Sequence, residues 1–341
     1  MIARIARPAA ALGAAVLLVA GVSCTKGGLP TSTPAASAGA GSPSSTVSSS
    51  PGSTPALQSA SWSRIPSPPR GPRQEVAAAI VDGKVYVIGG LVSNEATSRV
   101  EAYDPATRRW SNAPQLPVFL HHPMAVGFRG RLYVIGGILD RLGGADSDRV
   151  FMLDGSTWSE APRLRRPRGA GAAVVAGDRI VVAGGIGGAN EVAPVEIFDG
   201  TSWHDGAPIP EAVDHVGAAT DGRYVYVAGG RRNGSHFNFF QRYDPAADTW
   251  QRLDGMPTAR SGLGVAFAAG RVFAIGGEGP RIFPEVEAFD VASGGWARLP
   301  NMEVPRHGFG VVAIGTSIYT FVGGNRVGVG PSDACEVLTL N

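Results

Sequence analysis

The chain has 341 residues, with 30 basic side chains against 28 acidic ones and only two cysteines, Cys24 and Cys335. This near balance gives no electrostatic footprint for nucleic acid or for an anionic membrane surface, and two cysteines exclude a zinc finger, an iron–sulfur cluster and a disulfide framework. Nearly all of the basic charge is arginine, with lysine only at Lys26 and Lys84, which suits carboxylate and sugar-acid recognition as well as simple compositional bias.

Residues 1–23 open with Arg4 and Arg7 and continue into an apolar run over residues 8–22. That run falls short of the roughly 20 residues of a comfortable membrane span and fits the apolar part of a secretory signal. Its removal leaves 28 charges of each sign. The Ser23-Cys24 junction resembles the lipobox of bacterial lipoproteins, although Gly21 stands where leucine is usual. The resemblance implies a lipid on Cys24 and anchorage to the outer face of a bacterial membrane; a soluble, secreted product is the other reading. Residues 24–59 are almost entirely Ser, Thr, Pro, Gly and Ala. Such a composition buries too little apolar surface to fold and reads as a disordered tether.

Residues 60–341 repeat one pattern. Glycine doublets begin at Gly89, Gly136, Gly184, Gly229, Gly276 and Gly323, and the six tryptophans, Trp62, Trp110, Trp158, Trp203, Trp250 and Trp296, keep the same beat. A fixed period of about 40–50 residues marks a stacked or radial repeat fold. In the first complete unit, residues 76–81 are apolar, Asp82-Gly83 makes a turn, and residues 84–88 are apolar again. Asp-Gly between two apolar runs predicts a tight hairpin. Residues 100–103 supply a third strand, Asp104-Pro105 a turn, and Trp110 marks a fourth. Four strands per unit without helical periodicity predict blades arranged about an axis. The small residues of each first strand, such as VAAAIV and AGAAVV, suit a narrow central channel.

A glycine doublet, an aromatic residue before aspartate (Tyr103-Asp104, Phe198-Asp199, Tyr243-Asp244, Phe289-Asp290) and a later tryptophan resemble the kelch repeat. The second unit departs with Leu153-Asp154, and the sixth ends at Leu340-Asn341. The resemblance covers about 280 residues and implies an all-β, six-bladed β-propeller. The last unit lacks a tryptophan, while Ser61-Trp62-Ser63-Arg64 precedes the first complete unit. An N-terminal strand is therefore expected to complete the last blade and leave no free sheet edge. Cys335 falls in the third strand of that blade, as a small buried apolar residue.

The loops entering strand one and leaving strand two share one mouth of such a ring, and in kelch proteins this mouth commonly carries the binding site. Before strand one stand Pro72-Arg73, His121-His122, Pro167-Arg168, Asp214-His215, Ala259-Arg260 and Pro305-Arg306. Arg73, Arg168, Arg260 and Arg306 allow two readings: guanidiniums bridging neighbouring blades through backbone carbonyls, or a ring of donors facing a ligand. Neighbours on an extended chain point to opposite sides, so His121 and His122 are not expected to share a metal, and no metal or cofactor is expected. The same alternation weighs against Asp214-His215 as an acid–base pair and favours hydrogen bonding within the mouth. The loops after the doublets differ most between units, and Arg231 lies in one of them.

Three functions compete. One is a tethered monomeric module that binds a protein, peptide or glycan through the mouth. The second is a sugar-handling enzyme, since some secreted six-bladed kelch proteins are sialic-acid mutarotases; a galactose-oxidase-like copper site is excluded, because the one cysteine of the repeats sits in a peripheral strand. The third is an envelope scaffold. The fold alone does not choose among them.

Overall fold

The computed structural model describes residues 59–341. The signal segment, Cys24 and residues 24–58 of the expected tether lie outside the described residues. Among the described residues there is no helix, and six four-stranded antiparallel sheets form the blades of a propeller. Blade 1 runs Ala77–Val81, Lys84–Ile88, Val100–Asp104 and Arg109–Asn112, from the axis outward. Its first hairpin turns at Asp82 and Gly83 with φ of 49° and 74°, the pair of positive angles that a type I′ turn requires.

The second strand of each blade is apolar on both faces because both faces are covered. In blade 2, Leu132 and Val134 pack toward blade 1, while Tyr133 and Ile135 pack toward blade 3. Six buried clusters result, each shared by two adjacent blades. Each fully buried aliphatic side chain there contributes roughly 1.5–3 kcal/mol. The innermost strands stand close together: a Cβ at Gly127 would run into the backbone oxygen of Ile80 in the neighbouring blade. This is the physical demand behind the run of small residues.

Each tryptophan staples two blades at the rim. The indole N–H groups of Trp110, Trp158, Trp203, Trp250 and Trp296 donate to the carbonyls of Pro66, Pro114, Pro162, Ala207 and Asp254 at 2.7–3.0 Å. Trp62 makes the same bond to Pro300 at 3.0 Å. The strand that carries it, Ala60–Arg64, pairs antiparallel with Pro331–Leu340, from Ala60 opposite Leu340 to Arg64 opposite Glu336. The last blade is thus completed by the N-terminal strand, and Cys335 is buried at the interface with blade 1.

The last doublet needs correction. The second strand of blade 6 has an irregularity between Phe321 and Gly323, and Val322 takes a left-handed φ of 52° with Gly323 at 109°. These angles match those of Gly276 and Gly277, at 58° and 106°. Val322-Gly323, rather than Gly323-Gly324, therefore occupies the doublet position. A β-branched residue there is a true backbone outlier, held by the surrounding structure.

Candidate functional site

The four arginines do not face the mouth. Arg73, Arg168, Arg260 and Arg306 are fully buried and paired with Glu101, Glu196, Glu287 and Glu336 on the third strand of their own blades. Each guanidinium also donates to a carbonyl of its own blade, for example Arg73 to Val87 at 3.1 Å and Arg260 to Ala274 at 3.0 Å. The link between blades is made by the backbone instead. The carbonyls of Arg73, Arg168, Arg260 and Arg306 accept from Gly323, Gly137, Gly230 and Gly277 of the preceding blade at 2.8–3.0 Å. In blades 2 and 4 the pair is replaced at both ends, by Leu120 with Phe151 and Val213 with Gln241. Leu120 and Val213 keep the backbone bond, accepting from Gly90 and Gly185.

This register moves the two histidine units by two residues, because Leu120 and Val213 rather than His122 and His215 stand at the arginine position. Two positions beyond the arginine site stand Glu75, His122, Ala170, His215, Gly262 and Gly308, and all six have φ between 51° and 59°. Their backbones form a closed ring. Each N–H donates to the carbonyl of the equivalent residue one blade back, at 2.6–3.1 Å, and Glu75 closes the circle by donating to Gly308. Left-handed glutamate, histidine and alanine are uncommon, and this ring of backbone hydrogen bonds holds them there. The conformation also breaks the alternation of an extended chain. His121 packs away, fully buried, with Nε2 donating to the Arg141 carbonyl at 2.9 Å, while His122 faces the axis. For the same reason Asp214 and His215, expected on opposite faces, are in direct contact, Asp214 Oδ1 accepting from His215 Nδ1.

On the axis Glu75 Oε2 lies 3.0 Å from His122 Nε2, which lies 3.0 Å from His215 Nε2. The other Glu75 oxygen is 3.2 Å from His307 Nδ1. A Cβ at Gly308 would collide with the Glu75 carboxylate, so the glycine makes room for it. Arg231 reaches in from its loop, with Nη2 2.9 Å from His215 Nε2, Nε 3.2 Å from Asp214 and Nη1 3.2 Å from Glu278. Glu278 and Gln74 hold the loop of the last blade by hydrogen bonds to Gly328 and Gly330, at 2.6–3.0 Å. These groups form the floor of a cavity of about 530 Å³ that opens at the mouth. Leu91, Ile138, Leu142, Ile186 and Val329 supply its apolar wall.

Burial opposes the charged forms of Glu75, Asp214, His121, His215 and His307. It would raise Glu75, yet His122 and His307 hold that carboxyl well below the usual range. It would likewise raise Asp214, which His215 and Arg231 bring down. Burial depresses His121 to about 4 and lowers His215 against the pull of Asp214. Burial also works against His307, where Glu75 and Glu278 outweigh it and raise the imidazole. Of the residues singled out in the sequence, His122, Asp214, His215 and Arg231 meet in the cavity. Glu75, Gln74 and Glu278 join them unannounced, with the buried His307 against Glu75. Aligning the units at a fixed 16 residues before the doublet position, which sets Leu120 and Val213 level with the arginines, would have placed Glu75, His122 and His215 in one ring.

The chain matches known proteins along most of the ring. Residues 120–324 match the KLHDC2/KLHL20/DRC7 Kelch-repeats domain, and residues 72–117 match the Kelch motif. The chain is 28% identical over 246 residues to Kelch-like protein terF of Aspergillus terreus, covering 64% of this chain and 54% of that protein. It is 30% identical over 215 residues to Kelch-like protein 34 of Homo sapiens, covering 57% and 33% respectively. It thus spans about half or less of the length of these curated relatives. The solved structure of YjhT has a TM-score of 0.72 at 14% identity, over 82% of this chain and 100% of the other, a likeness of fold. With the repeat, the closed ring of blades and these matches in agreement, the chain belongs to the kelch-repeat family.

Proposed function

We propose that this chain is an exported, membrane-tethered kelch propeller that binds a protein or peptide of the cell envelope in its mouth cavity. Kelch propellers commonly serve as protein-binding modules, and one observation carries the reading to this mouth: an apolar wall above a charged, hydrogen-bonding floor. A pocket of that build takes a side chain or chain end whose body is apolar and whose tip is polar. Among the residues lining the cavity, Glu75, Glu191, Asp214 and Glu278 outnumber Arg231, which favours an amine or guanidinium tip. None of the described residues lining the cavity is Phe, Tyr or Trp, so a glycan would find hydrogen bonds but no flat apolar platform.

The test uses Leu142 and Val329, which are 50% and 37% exposed at the rim. The double variant Leu142→Asp, Val329→Asp should melt like the parent and lose partners captured from envelope extracts at least tenfold. Undiminished capture would remove the mouth from the reading, and accelerated anomerisation of a free sugar by NMR would favour the sugar-handling alternative. For the anchor, Arg4, Arg7, the apolar run and Cys24 are the support. Cys24→Ala should move the protein from the membrane fraction to the soluble one, and unchanged fractionation would refute the lipid.

A further inference from the structure

We propose that Glu75, His122 and His215 form a binding site for one divalent first-row transition-metal ion, zinc in the first instance, at the floor of the cavity. The metal competes with a cationic tip of any partner for this floor, so its test is made without a partner. The three ligand atoms lie within 4.8 Å of one another, and two of the separations are 3.0 Å. Tetrahedral zinc with bonds of about 2.0–2.1 Å places its ligand atoms roughly 3.4 Å apart, so the two short separations open by a few tenths of an ångström and the Glu75–His215 separation, at most 4.8 Å, closes by up to roughly 1.4 Å.

The hydrogen bonds behind the ligands fix their tautomers. The Arg141 carbonyl can only accept, so His121 carries its proton on Nε2 and its Nδ1 accepts from His122. The Asp214 carboxylate accepts a hydrogen bond from the Nδ1–H of His215, which keeps the proton on that nitrogen. Both Nε2 lone pairs of His122 and His215 therefore turn toward the axis, where a Glu75 carboxylate oxygen also points. Three electron-pair donors facing one point call for a cation. A proton on His122 Nε2 serves one of these contacts at a time, whereas a metal ion serves all three. Outer partners of this kind, a carboxylate and a carbonyl-anchored imidazole, are what orient histidine ligands in metal sites. Two histidines and a glutamate, with the remaining side open to the cavity, make the donor set of a zinc ion that keeps a position for water or ligand.

Arg231 is the competitor. Its Nη2 donates to His215 Nε2, and its side chain is one-third exposed with the cavity to move into. Metal entry displaces that single contact and leaves the guanidinium its bonds to Asp214 and Glu278.

Titration calorimetry of the purified full chain with zinc should give one equivalent, and cobalt(II) should show the visible bands of a four-coordinate ion. Glu75→Gln and His215→Ala should each weaken binding about a hundredfold, and Arg231→Ala should tighten it about tenfold. Zinc-dependent shifts in melting, measured on each variant, separate a lost site from a lost fold. The proposal is overturned if neither the parent nor Arg231→Ala binds zinc stoichiometrically, or if folded Glu75→Gln and His215→Ala proteins bind as the parent does.

Discussion

A guanidinium withdrawn from water is tolerated only with a counter-charge and filled hydrogen-bond positions. Each buried arginine of the ring has the counter-charge and carbonyl acceptors for its terminal nitrogens, and only the Nε of Arg73, Arg168 and Arg260 goes without a partner. Glu196, for example, accepts from Arg168 through one oxygen at 2.6 Å and from the backbone N–H of Arg165 through the other, also at 2.6 Å. The repeats contain their own control, because blade 2 places Leu120 and Phe151 at these two positions and packs them against each other in one apolar cluster. Removing one partner should therefore cost far more than replacing both. Glu196→Ala strands a buried cation and should lower the unfolding free energy by about 3–5 kcal/mol. The double change Arg168→Leu, Glu196→Phe, which copies blade 2, should recover most of that loss. Urea unfolding monitored by tryptophan fluorescence measures both, and a single variant within about 1 kcal/mol of the parent would show that the pair is not a structural unit.

At the scale of the strand and loop, what could be read in advance was whatever each unit repeats. The apolar second strand, the Asp82-Gly83 hairpin and the tryptophan strand follow from residue types whose local preferences agree with their tertiary surroundings. The entry to strand one was legible only in part. Alternation along an extended chain separates Asp214 from His215 and isolates His122, and it fails because residues 75, 122 and 215 adopt positive φ. Nothing in a glutamate or histidine side chain announces that conformation. It is imposed by the ring of backbone hydrogen bonds, in which every member needs a partner from the next blade. Arginine misled in the opposite direction. Its recurrence was visible, but the glutamate that neutralises it stands some 30 residues later, on the third strand, and the pairing emerges only when blades are superposed. Val322 shows the same limit, since the visible Gly323-Gly324 doublet hid a one-residue shift that only the ladder reveals.

Across the whole molecule, the seam between the last blade and the first is built like every other joint. The axial ring crosses it through Glu75 N–H to Gly308 at 2.6 Å, and the rim crosses the neighbouring joint through Trp62 to Pro300 at 3.0 Å. One buried cluster spans blades 6 and 1, drawing on Phe321, Cys335 and Val337 from one side and Val85, Val87 and Tyr103 from the other. The difference is covalent: the strand that covers Pro331–Leu340 comes from the far end of the repeats, so closure depends on five residues, Ala60–Arg64. Without them the long last strand presents a row of unpaired N–H and C=O groups, a template for pairing with another chain. A chain lacking residues 60–64 should melt lower by on the order of 10 °C, consistent with the loss of several kcal/mol from a domain of this size. It should also elute from a sizing column as dimers and larger species. A synthetic peptide spanning residues 59–66 should return it to the monomer position, because the ladder it offers is the one the deletion removed. If the shortened chain stays monomeric with the parent's melting temperature, the N-terminal strand merely decorates the ring, and the other five joints hold it closed.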